Sequence, residues 1–69
     1  MSQIKITLNG EEKILKSHQT LQDLIDDLEL DLEKIAIEKD LEIIDPAQFS
    51  KIILNEGSQV EIVHFIGGG

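Results

Sequence analysis

The sequence predicts an α+β domain in which one helix covers one face of a mixed sheet of four to five strands. Residues Gln3 to Leu8 alternate apolar and polar and run into Asn9-Gly10, the pair best suited to the two positive-φ positions of a type I′ hairpin turn. From Leu21 to Leu28 the apolar residues fall at helical spacing. Beyond that stretch, short β-type runs separated by turn residues return. Two hairpins flanking a single crossover helix make a sheet with the helix on one side.

In the first strand Ile4, Ile6 and Leu8 share a face and Lys5 and Thr7 the other, the pattern of a half-buried strand. A second strand, Glu12 to Lys16, returns antiparallel. Ser17-His18-Gln19 connects to a helix whose N-cap is Thr20, with Asp23 three residues on. That is a relative of the capping box, and it places negative charge at the helix N-terminus. Leu21, Leu24, Ile25 and Leu28 form one apolar stripe to lay across the sheet. From Asp27 to Glu33 the alternation changes to period two. The helix is therefore expected to end near Glu29, with Leu30 and Leu32 in a connection tucked under it.

Lys34 to Glu38 reads as a third strand, with Ile35 and Ile37 facing one way, and Leu41 to Ile44 as a short fourth. Asp45-Pro46 supplies an N-cap and a first-turn proline for a turn of helix through Phe49. Asn55 to Ser58 is a turn, and Gln59 to Ile66 is the longest strand. The first and last strands are expected to run parallel at the centre of the sheet. Along the last strand Val60 and Ile62 share one face, and Glu61, Val63 and Phe65 the other. A sheet covered by one helix leaves a face open. Val60 and Ile62 should pack under the helix with Ile4 and Ile6, leaving Val63 and Phe65 as an exposed apolar patch that docks partners.

Sixty-nine residues without internal repeat or linker make one domain, residues 1–66, followed by a flexible tail, Gly67-Gly68-Gly69. The chain has no Cys and 41% hydrophobic residues, so a single aliphatic core must hold it together without disulfides or a thiolate zinc site. Its net charge of −8 argues against nucleic acid and an anionic membrane surface, since both are polyanions. No apolar run approaches the roughly 20 residues of a membrane span, and no signal-type segment opens the chain. A cytoplasmic protein, monomeric when free, is the expectation.

Catalysis of its own is not expected. The serines Ser2, Ser17, Ser50 and Ser58 stand at the terminus, in loops or at turns, none in a nucleophile elbow. His18 falls in a connection and His64 in a strand, where a lone histidine is an ordinary surface or packed residue. The acids Asp23, Asp26, Asp27, Glu29, Asp31 and Glu33 lack the glycine and the spaced closing glutamate of a calcium loop. They read as a solvated helix face, with no metal bound. The terminal glycines are different. Glycine is the costliest residue to order, and a run of three does nothing for a sheet. A backbone without β-carbons can, however, thread a channel too narrow for side chains and deliver a terminal carboxylate to another protein's active site.

With its opening hairpin, single helix, the segment Val60-Glu61-Ile62-Val63-His64-Phe65-Ile66 and the terminal Gly-Gly, the chain resembles the ThiS family of sulfur carrier proteins of thiamine biosynthesis. The resemblance runs the whole length and is densest from Asn55 to Gly69. It implies the ubiquitin-like β-grasp fold. It also implies that the carboxylate of Gly69 is adenylated by a ThiF-type enzyme using ATP, converted to a thiocarboxylate with a sulfur-donating system, and used by the thiazole synthase ThiG. Gly68 matches the penultimate glycine of the motif and Gly67 extends it; no cofactor is held by the carrier itself. The family often has Asn-Gly between the third and fourth strands, where this chain has Asp40-Leu41, and Gly-Asp before the last strand, where it has Gly57-Ser58. Those departures leave the turn geometries open. Two other readings fit the tail. One is a MoaD-like small subunit of molybdopterin synthase or a carrier for another sulfur pathway, though such relatives precede Gly-Gly with a segment unlike His64-Phe65-Ile66-Gly67. The other is a ubiquitin-like protein modifier or plain interaction module.

Overall fold

Asn9 and Gly10, with φ of 50° and 83°, close the hairpin between β1 (Gln3–Leu8) and β2 (Glu11–Lys16). Both central residues are left-handed, as a type I′ turn requires. The computed structural model describes residues 2–65. The helix α1 (Leu21–Asp27) follows, then β3 (Ile35–Lys39), β4 (Glu42–Ile43) and β5 (Gln59–His64). The five strands form one sheet in the order β2-β1-β5-β3-β4. β1 and β5 are parallel neighbours, and β5 sits at the centre, as expected.

The N-terminus of α1 forms a complete capping box. Thr20 Oγ1 accepts from the Asp23 N–H at 3.1 Å, and the Thr20 N–H donates to Asp23 Oδ2 at 3.0 Å. The helix ends close to Glu29, as expected, with Leu28 as its C-cap. Glu29 takes φ 58°, its N–H donating to the Asp26 carbonyl and that of Leu30 to the Ile25 carbonyl. This is a Schellman cap with Glu at the left-handed position usually given to glycine, and Leu30 folds back on the core beside Ile25. The period-two pattern after Asp27 is thus a helix cap followed by a 3-10 turn, Leu32–Lys34, an element the alternation did not announce. Leu30 packs against the core, whereas Leu32 is exposed.

Several boundaries shift. β2 begins at Glu11, β3 lies one residue later than its alternation suggested, and β4 is shorter than Leu41–Ile44. The Asp45-Pro46 start is as expected, with Asp45 Oδ1 accepting from the Ala47 N–H at 3.0 Å. The element it opens is a 3-10 turn running to Lys51. Phe49 in that turn is fully buried beside Leu21, Leu24 and Ile25 of α1, Ile6, Ile35, Ile37, Val60 and Ile62 of the sheet, and Leu54.

Candidate functional site

The glycines Gly67, Gly68 and Gly69, expected to carry the chemistry, lie outside the described residues, as does Ile66. The structure therefore speaks to what holds and surrounds the strand leading to them. β5 pairs with β3 over five residues, from Ile35 opposite His64 to Lys39 opposite Val60. Its backbone pairing with β1 covers only Thr7–Gln59 and Leu8–Val60, because β1 turns away at Asn9. A side chain makes up the difference. Asn9 Oδ1 accepts from the Ile62 N–H at 2.7 Å and Asn9 Nδ2 donates to the Ile62 carbonyl at 3.4 Å. The amide thereby occupies the place of the next β1 residue.

A second turn side chain grips the start of the same strand. Asp40 Oδ1 accepts from the Gln59 N–H at 2.9 Å, while the Asp40 N–H donates to the Gln59 carbonyl at 2.8 Å. Lys39 Nζ donates to Asp40 Oδ2 at 2.8 Å. That hydrogen bond, helped by the one from Gln59, holds the Asp40 carboxyl below its ordinary pKa. The Asp40-Leu41 departure leaves the turn geometry intact, for φ is 51° and 72° at the two positions, much as at Asn9-Gly10. Ahead of β5, Gly57 adopts φ 84°, and the buried Ser58 accepts from the Asn55 N–H at 3.0 Å.

The two faces of β5 divide as its alternation requires. Val60 and Ile62 are 1% and 8% exposed in the core, and Val63 and Phe65 are 59% and 56% exposed on the open face. Phe65 is held in line by its N–H, which donates to the Lys34 carbonyl at 2.8 Å. Ala36 is directly opposite Val63. Ile43, 79% exposed, pairs with Glu38, and Glu38 is opposite Glu61. The sequence put Glu61 on the open face and Leu41 in a turn, but did not bring them together with Glu38 and Ile43, because their convergence depends on the strand register. His18 stands apart, exposed at φ 69° with Nδ1 3.1 Å from Ser17 Oγ, and His64 is exposed opposite Ile35. Among the described residues no group of three or more His, Asp or Glu is placed to hold a metal ion, and no helix is long and apolar enough to cross a membrane.

A sequence model of the ThiS family matches residues 3–69. The chain belongs to the ThiS family. This ThiS-family chain is 35% identical over 65 residues to the sulfur carrier protein ThiS of Bacillus subtilis, covering 93% of itself and 98% of that protein. It is 38% identical over 66 residues to a thiazole synthase of Paramagnetospirillum magneticum, covering 96% of itself. It spans only 20% of that protein's length, and the same share of a second thiazole synthase, from Magnetococcus marinus. Among solved structures, the thiamine biosynthesis protein ThiS of Geobacter metallireducens superposes with a TM-score of 0.83, covering 96% of this chain and all of that one at 23% identity. A designed protein based on human ubiquitin superposes at 0.54 and 22% identity, covering 100% of this chain and 98% of that one. The fold is the ubiquitin-like β-grasp.

Proposed function

We propose that this chain carries sulfur as a thiocarboxylate on Gly69 and yields it to thiazole formation in thiamine biosynthesis. The observation that carries this reading is the family match through residue 69, so that the terminal glycines fall inside the shared region. In the first step the Gly69 carboxylate attacks the α-phosphorus of ATP in a ThiF-type enzyme, and pyrophosphate leaves. A sulfur nucleophile at the oxidation level of sulfide then adds to the acyl carbon and expels AMP, leaving the thiocarboxylate. The carrier supplies the acyl group, and its partners supply the catalysis. Similarity to a segment of two proteins named thiazole synthase supports a ThiG-type enzyme as the acceptor. Gly67 and Gly68, lacking β-carbons, let the tail enter narrow active-site channels, and Val63 and Phe65 give those partners an apolar surface to grip. Amidating the C-terminus or deleting Gly69 abolishes thiazole production in a reconstituted system on this reading; undiminished production would refute it.

A further inference from the structure

Glu38 and Glu61 are opposite each other on adjacent strands of the open face, and neither belongs to an ion pair among the described residues. Like charges directly across a strand pair destabilise a sheet. The two carboxylates separate two shallow hollows and line both. One, of about 200 Å³, is completed by Ala36, Ile37, Ile43 and Val63; the other, of about 160 Å³, includes Leu41. Leu41 is a second unfavourable feature on the same stretch of surface. It is 85% exposed and held at φ 72°, a conformation that disfavours a side chain. Two glutamates that repel and a strained, solvated leucine thus sit together beside exposed Ile43 and Val63. That surface complements a group with an apolar stem and a positive head, as lysine and arginine side chains are built.

We propose that a cationic side chain of the activating enzyme seats here, its head between Glu38 and Glu61 and its stem on Ile43 and Val63. The proposal rests on the sulfur-carrier reading and names the partner chemistry that the docking face selects. The test is the double variant E38Q/E61Q, with binding to a ThiF-type activating enzyme measured by calorimetry at several salt concentrations. Relief of the repulsion raises the Tm of the free chain by about 1–5 °C. At the same time Kd rises about tenfold or more, and binding becomes less sensitive to salt than in the wild type. Equal or tighter binding by the variant, or wild-type binding indifferent to salt, overturns the proposal. Sulfur loading of the wild-type chain, followed by mass, is read in parallel. Loading with an unchanged Kd in the variant refutes only the cation seat. Salt-sensitive binding weakened by the variant, without loading, refutes only the carrier chemistry. A wild-type chain that does not bind refutes both.

Discussion

Single residues at turns do much to fix the strand that leads into the tail. Asn9 both accepts the left-handed turn and closes β5 onto the hairpin through Ile62. N9G keeps the turn but removes the clamp, a loss of about 1 kcal/mol accompanied by faster amide hydrogen exchange at Ile62. Unchanged exchange there would mean the clamp is not formed in solution. Leu41 offers the reverse case. L41G relieves a left-handed leucine whose side chain buries almost nothing, and a gain of about 1 kcal/mol in thermal stability is expected. Asp40 makes stability depend on pH. Its folded pKa is lowered, so its contribution is present above the unfolded value of about 3.9 and lost as pH falls through the folded value. The stability difference between wild type and D40N should be constant above about pH 5 and shrink below about pH 4. A gap independent of pH would show that the carboxylate's hydrogen bonds do not persist.

The elements were legible in the sequence wherever local chemistry and tertiary need agreed. The NG hairpin, the Thr20 cap and the Asp45-Pro46 start each declare themselves within a few residues. The end of α1 near Glu29 was legible too, but the form of its cap was not, because Glu29 holds a left-handed position that glycine normally signals. The 3-10 turn at Leu32–Lys34 imitates strand alternation for the same local reason. The β3–β4 turn is equally disguised, since Asp40-Leu41 adopts the geometry of Asn-Gly without its letters. The two faces of β5 followed from alternation alone, but the meeting of Glu38 with Glu61 required the register. F65S should change stability by no more than about 0.5 kcal/mol while weakening binding to the activating enzyme. A collapse of stability would show that Phe65 belongs to the core after all.

Across the whole molecule, a small aliphatic core closes around α1 and Phe49 and leaves the opposite sheet face exposed. On the proposed function the molecule is a handle: partners grip its exposed sheet face, and the reaction takes place on its last residue. The absence of Cys had already removed thiol side-chain chemistry, and the net charge of −8 argued against nucleic acid; the family match extends through the residue proposed to react. The most direct measurement is the intact mass of the chain after incubation with a ThiF-type enzyme, ATP and a sulfur donor. One oxygen-for-sulfur exchange is expected, located on the C-terminal peptide containing Gly69. A chain of unchanged mass, or one joined through Gly69 to lysines of other proteins, would contradict it.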